Sequence, residues 1–400
     1  MSTATTPIQP ASEPPPALVP REWRLRLDPL LLLAVLGLIA CSIIALKGAT
    51  RTDVAGQPYY YVYRQAIYAG VGLLLMYAVS RIDYSRLQDL RFAVYGILIG
   101  LLLMTLGLAT ATRGAKAWIE LPFFTFQPSE FGKVLLVVSL AGFLVSRMRL
   151  MGRQTTARIV VLGLIPTMLV MAENDLGSAL VYGVGILAVL FVAGAPWRHF
   201  AALGALFAVA VAIVLAGAPA VGVDVVKPYQ KDRLTSFLNP SSDPADAGYQ
   251  QQQSKTAIGS GQKTGRGVED ATQTGLGFLP EHHTDFIFAV VGETYGFVGC
   301  ALVLSLYALL IWRALHILTI AKNLYGALLA GGITVMLLFQ LFVNVGMNVG
   351  IMPITGVTAP LLSAGGSSML ATFLAVGLLQ SINAQARETA AGKGRATIFE

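Results

Sequence analysis

The chain has 400 residues, 55% of them hydrophobic and 12% charged, and its mean hydropathy is +0.67. That balance excludes a soluble globular protein and places it among polytopic membrane proteins. A net charge of +7 and a pI near 9.4 would suggest nucleic acid in a soluble chain. Here the cations are spread through loops between apolar runs, as membrane topology requires, so no nucleic-acid partner is expected.

Residues 1–26 open with a Pro-, Ser- and Thr-rich stretch that has too little apolar surface to fold, which predicts a disordered cytoplasmic tail. The apolar run that follows continues past Cys41, which argues against a cleaved signal at Leu38-Ile39-Ala40-Cys41. Cys41 and Cys300 both lie in apolar runs, and no disulfide framework is inferred. Windows of about 19 residues place apolar spans at 29–46, 65–80, 90–111, 131–146, 158–174, 177–195, 199–218, 286–311, 324–346 and 366–383. The expected fold is therefore an all-α polytopic membrane protein of about ten transmembrane helices.

An even number of spans puts both termini on one side. Arg21, Arg24, Arg26, Arg81, Arg86, Arg91, Arg147, Arg149, Arg153 and Arg158 gather there, whereas the short opposite loops near 175 and 350 carry no cation, so both termini are expected to be cytoplasmic. The transmembrane domain then covers 27–384, and 385–400 forms a second cytoplasmic tail. One large non-apolar segment, 219–284, joins helices 7 and 8 on the extracytoplasmic side. Its Tyr229, Leu234, Phe237, Tyr249 and Ile258 favour a packed lid over a tail, which locates function on that face.

The stretch 278–299, FLPEHHTDFIFAVVGETYGFVG, sets two histidines and three acids against the start of a span. Ionised groups there are costly unless they have a task. Asp285, partly desolvated at the boundary, suits a general base or a cation ligand. The competing reading is a helix N-cap, with Thr284 or Asp285 accepting first-turn N–H groups. Adjacent His282 and His283 raise the question of zinc, but no cysteine is near and the spacing does not fit a structural site, so no metal is assigned.

In RGAKAWIELPFFTFQPSEFGKV, Glu130 and Lys133 stand three residues apart at the start of a helix. They form either structural glue or the lining of a polar cavity, and the cost of idle charge in a membrane favours the cavity. Arg113, Lys116, Arg233 and Lys255 give this face a basic aspect suited to an anionic ligand such as a pyrophosphate. The 259–265 run GSGQKTG does not fit a phosphate loop and reads as a flexible turn or a backbone nest. Glu173-Asn174-Asp175, at a very short outer turn, is expected to cap the next helix. Asn344 and Asn348 are expected to bond between helices, with Gly346 and Gly350 as a packing face. Pro353, Pro360 and Gly365-Gly366-Ser367-Ser368 break the helix before the last span, which requires a protein-lined or wet cavity.

These motifs, in this order, resemble the SEDS family of bacterial cell-wall proteins over nearly the whole chain. The carriers are GAKAWI and FQPSEFGK, NDLGSA, the YQKDRLTSFLNPSSDPADAGYQ stretch, FLPEHHTDFIFAVVGETYGFVG, and NVGMNVGIMPITGVTAPLLSAGGSSM. The NPSSDP and the LRLDPLL start are more similar to the elongation members than to the division members.

The resemblance implies a peptidoglycan glycosyltransferase that takes lipid II at the outer face of the bacterial plasma membrane and releases undecaprenyl pyrophosphate with inversion. It also implies a class B penicillin-binding protein as transpeptidase partner, alongside other elongation machinery and membrane lipids. By motif, Asp285 matches the essential aspartate proposed as base. Glu130 and Lys133 match a polar pair of the central cavity, and His283 and Glu293 match family positions that His282 does not. No cofactor is implied with certainty, although a divalent cation fits pyrophosphate chemistry. The chain departs from the family pattern at Gly292-Glu293-Thr294, at Ser363-Ala364-Gly365-Gly366 and at Glu173-Asn174. A lipid II transporter and a non-catalytic scaffold for the transpeptidase are the competing functions.

Overall fold

The computed structural model describes residues 27–51, 53–54, 56–112, 115–121, 124–146, 152–214 and 247–396. Its elements, in chain order, are α1 (Pro29–Ala49), α2 (Tyr60–Ser80), α3 (Ser85–Asp89), α4 (Arg91–Leu108), β1 (Thr110–Thr112), β2 (Ala115–Leu121), β3 (Phe124–Phe126), α5 (Pro128–Val145), α6 (Arg153–Ala172), α7 (Leu176–Val192), α8 (Trp197–Ala212), α9 (Ala247–Ser260), α10 (Thr272–Gly275), α11 (Ile287–Ile320), α12 (Leu324–Val349) and α13 (Gly366–Ala396). Among the described residues, α1, α2, α4, α5, α6, α11, α12 and α13 are long and apolar enough to cross a membrane, and α7 and α8 are shorter apolar helices. These occupy the ten stretches that hydropathy marks. The chain is a multi-pass membrane protein.

Three helices form the centre. Most of α5, α12 and α13 is buried, whereas α2 and α4 point Ile67, Leu74, Phe92 and Leu103 outward, as lipid-facing helices do. Around this centre α13 packs on α2, α11 on α1 and α12, and α7 on α12, α5 and α6. Helix α1 is anchored by Asp28, whose side chain accepts from the Leu30 and Leu31 N–H groups. The same carboxylate meets Arg313 on α11 and lies 3.6 Å from Arg387 on α13.

The helical fold carries a small sheet between α4 and α5. There β1, β2 and β3 make a small antiparallel sheet, with Thr110 opposite Trp118 and Ile119 opposite Phe126. The local run of Thr, Trp, Ile and Phe fits a pleated, half-buried surface better than a helix. The last helix also runs further than the apolar span, to Ala396.

Helix α11 contains a break. Gly296 takes φ 62 and ψ −157, and the 262–267 loop supplies the partners that the break leaves over. Phe297 and Val298 N–H donate to Gln262 and Lys263 O at 2.9 and 3.1 Å, while Arg266 and Gly267 N–H donate to Glu293 and Thr294 O at 2.9 and 3.1 Å. The 259–265 run is thus a docked turn and not a flexible one. From residue 247 onward the large loop packs through α9 on α11 and α12, while Tyr229, Leu234 and Phe237 lie outside the described residues.

Residues 351–365 are non-helical, yet many of them are buried inside the bundle. Their backbone groups are met by side chains: Tyr307 Oη donates to Pro360 O at 2.6 Å, Ser42 Oγ to Leu362 O at 2.6 Å and Gln65 Nε2 to Ser363 O at 3.1 Å. Irregular backbone at membrane depth survives only with such partners. The expected GxxxG packing face is replaced by a helix end: Gly350 closes α12 in the left-handed region at φ 84, and a Cβ on Gly346 would press on Met352.

Candidate functional site

Pro128 starts α5 and sets Glu130 and Lys133 one turn apart on its buried face. Lys133 Nζ donates to Glu130 Oε1 at 2.6 Å, and both residues are almost fully buried. The pair lines a cavity between α5, α12 and α13, with Met336, Gln340 and Thr372 on the other walls.

Asp285 stands in the turn before α11. The residue preceding that helix is Phe286, whose own side chain makes no cap bond. Thr284 Oγ1 donates to Glu281 O and Oε2 at 3.2 and 3.0 Å. The Asp285 carbonyl is held by two amides, Asn344 Nδ2 and Asn348 Nδ2, each at 3.0 Å. Asn348 Oδ1 accepts the Ala289 N–H at 3.0 Å. These are the interhelical bonds expected of the two asparagines, and their position fixes the Asp285 backbone.

Gln340, Asn344 and Asn348 stand at four-residue intervals on one face of α12. Gln340 lines the Glu130–Lys133 cavity, and Asn344 holds Asp285 one turn away, about 6 Å along the helix. Asp285 itself does not line that cavity. Its side chain lies near Gly356 of the buried irregular segment. The three residues are therefore joined through one stripe of α12 and not through a single open cavity.

Ser367 ties the two halves together. Its Oγ accepts the Gln127 N–H and donates to Thr125 O, both at 2.9 Å. Ser368 Oγ lies 2.8 Å from Thr358 Oγ1. On the other side, Ser363 Oγ donates to Thr284 O at 2.6 Å and Ala364 N–H to His283 O at 2.9 Å. The segment 363–368 thus reaches from the Asp285 turn to the N-terminus of α5. Asp175 caps α7 through Ser178 N–H at 2.8 Å, as expected, and also accepts from Gln127 Nε2 at 3.1 Å.

The remaining candidates divide. Glu293 is fully buried and accepts from the N–H groups of Gln273 and Thr274 and from Thr274 Oγ1 at 2.8, 2.9 and 2.6 Å. Its carboxylate is committed to holding α10, which corrects its placement in the cavity. Lys255 is exposed on α9, with its stem over Gly350. Arg113 and Arg233 lie outside the described residues, as does the side chain of Lys116.

His282 and His283 meet a residue that sequence proximity does not reveal. Asp53, in the connection between α1 and α2, places Oδ2 3.1 Å from His282 Nε2 and 3.8 Å from His283 Nδ1. His282 Nδ1 donates to Leu279 O at 3.0 Å, and the His283 ring packs on Tyr61 with centroids 4.3 Å apart. Burial favours the neutral His282 ring, but the Asp53 carboxylate, the Leu279 carbonyl and Glu281 together hold its pKa above the ordinary value.

Comparison with known proteins agrees with the motifs. A family model described as "Cell cycle protein", covering FtsW, RodA and SpoVE, matches residues 25–388. The chain is 36% identical over 360 residues to the Escherichia coli K12 peptidoglycan glycosyltransferase MrdB, covering 90% of this chain and 94% of that protein. It is 35% identical over 425 residues to the Treponema pallidum peptidoglycan glycosyltransferase RodA, covering 90% and 98%. Among solved structures it is similar to a chain of a peptidoglycan synthase complex that coordinates polymerization and crosslinking, with a TM-score of 0.76, 34% identity and coverage of 90% and 99%. It is also similar to Thermus thermophilus rod shape determining protein RodA, with a TM-score of 0.67, 30% identity and coverage of 90% and 98%. A likeness that runs the length of both partners and keeps the motifs in order leaves one assignment: the chain belongs to the FtsW/RodA/SpoVE family, the SEDS proteins.

Proposed function

We propose that the chain is a peptidoglycan glycosyltransferase that polymerises lipid II into glycan strands during cell elongation. An acceptor sugar hydroxyl attacks the anomeric carbon of the lipid-linked donor, the bond to undecaprenyl pyrophosphate breaks, and the configuration inverts. Pyrophosphate is already a competent leaving group. The protein's tasks are to orient two lipids, remove one proton and stabilise negative charge. Asp285 takes the proton, the Glu130–Lys133 pair shapes the adjoining cavity, and Arg113, Lys116, Arg233 and Lys255 meet the pyrophosphate. His283, Ser367 and Ser368 hold the turn and the α5 N-terminus in place.

One observation carries this reading: Asn344 and Asn348 grip the Asp285 backbone from the same stripe of α12 whose Gln340 lines the Glu130–Lys133 cavity. Such support of its backbone preorganises a base. The names of the relatives and of the structural neighbours support the activity and a penicillin-binding transpeptidase partner. The site lies on the outer face of the bacterial plasma membrane, with both termini cytoplasmic and residues 1–26 as a tail, while the segment from 385, expected as a second tail, continues α13 to Ala396.

The test is purified protein with its transpeptidase partner and labelled lipid II. Wild type is expected to make glycan strands, and Asp285→Ala to lose at least about a hundredfold in rate, the scale of general-base catalysis. Equal polymer from a folded Asp285→Ala variant removes Asp285 from the mechanism. Lipid II crossing liposomes without polymer would instead favour a transporter.

A further inference from the structure

We propose that Asp53, His282 and His283 form a binding site for one divalent transition-metal ion, with Zn2+ the best match. Each of the three residues offers one donor atom within 4.8 Å of the other two, and Asp53 Oδ2 lies 3.1 Å from His282 Nε2 and 3.8 Å from His283 Nδ1. Zinc bonds of about 2.0–2.2 Å in a tetrahedral site set ligand pairs about 3.3–3.6 Å apart. The separations of 3.1 and 3.8 Å bracket that spacing, and a third pair within 4.8 Å has to close by at most about 1.5 Å.

The surroundings favour a metal over a simple His–Asp contact. The His282 ring is more than nine-tenths buried, and its Nε2 lies near the carboxylate without hydrogen-bond alignment. Its other nitrogen is fixed by Leu279 O, the backbone partner that orients a ligating imidazole and leaves Nε2 as the donor. Two imidazoles and one carboxylate suit zinc and its borderline neighbours, not Mg2+ or Ca2+, which take oxygen shells. Three protein ligands leave a fourth position open. An ion here would join the α1–α2 connection to the turn that carries Asp285, only two residues beyond His283. Binding itself can be measured whether or not the polymerase reading holds.

The experiment uses the full chain in detergent, stripped with chelator, reloaded with Zn2+, dialysed and assayed for metal by mass spectrometry. Wild type is expected to retain about one equivalent and to gain thermal stability on loading. His282→Ala and Asp53→Ala are expected to bind at least about tenfold more weakly, while His316→Ala, on the exposed face of α11, keeps the ion. If His282→Ala fails to fold, His282→Gln keeps the volume, and loss of zinc from that folded variant supports the site. A Co2+-loaded sample is expected to show a visible band that His283→Ala abolishes. Wild type with no retained zinc, or full retention in folded His282 and Asp53 variants, overturns the proposal and leaves an ion pair.

Discussion

The α6–α7 turn buries Glu173 completely, and neither of its carboxylate oxygens meets a hydrogen bond. The nearby Thr105 hydroxyl donates instead to Leu101 O. Burial first, and the charge of Asp175 second, push its pKa up to about 8. The folded protein therefore holds a proton that the unfolded chain releases above its ordinary value of 4.5. Stability is lost as pH rises between those values, by roughly 1 kcal/mol per pH unit. Glu173→Gln is expected to flatten the melting temperature between about pH 5 and pH 8, and to raise it above wild type at pH 8. Thermal melts across that range check it, and an unchanged slope in the variant refutes the assignment. Charge beside an apolar run marked Asp285 and the Glu130–Lys133 pair as candidates in the sequence, and only the family resemblance set Asp285 apart from a helix cap. Asp53 was not marked, since an acid in a short polar loop has no such contrast and its partners stand more than 200 residues away.

Among elements, α11 depends on its break. A Cβ on Gly296 would fall 2.4 Å from Gly265 N and 2.8 Å from Gly261 O, and its φ of 62 already strains an L residue. Gly296→Ala is expected to cost about 2 kcal/mol or more and to loosen residues 261–267. The check is faster proteolysis after Lys263 or Arg266, with a lower melting temperature. Cleavage at the wild-type rate would mean that the docking tolerates a side chain. Hydropathy revealed ten apolar stretches because length and composition alone decide what can span a bilayer. It did not reveal the break, the docked turn or the three strands, which are fixed by backbone hydrogen bonds between segments and leave no periodic trace. The asparagine bonds of α12 were foreseeable as interhelical contacts, but that they clasp the carbonyl of Asp285 follows only from packing.

At the scale of the whole molecule, the two ends of the domain are closed by one carboxylate. Asp28 is wholly buried, pairs with Arg313 and Arg387, and its N–H donates to Gln380 Oε1 at 2.7 Å. It thereby fastens the first span to α11 and to the last helix. Burial raises its pKa, but the Arg313 guanidinium, the Leu31 N–H and the Arg387 charge outweigh that and hold it below 3.8. A depressed folded value means that this stability is fully present above the unfolded pKa, near 3.8, and is lost as pH falls through the lower folded one. Asp28→Asn leaves Arg313 buried without its counter-charge, at a cost of about 3–5 kcal/mol. Pairing it with Arg313→Met is expected to recover part of that loss, because an apolar pair of similar volume removes the stranded charge. Melting curves of the two single variants and the double variant form the cycle. A double variant that loses the sum of the singles would show that Asp28 and Arg313 act independently and that the termini are held by something else.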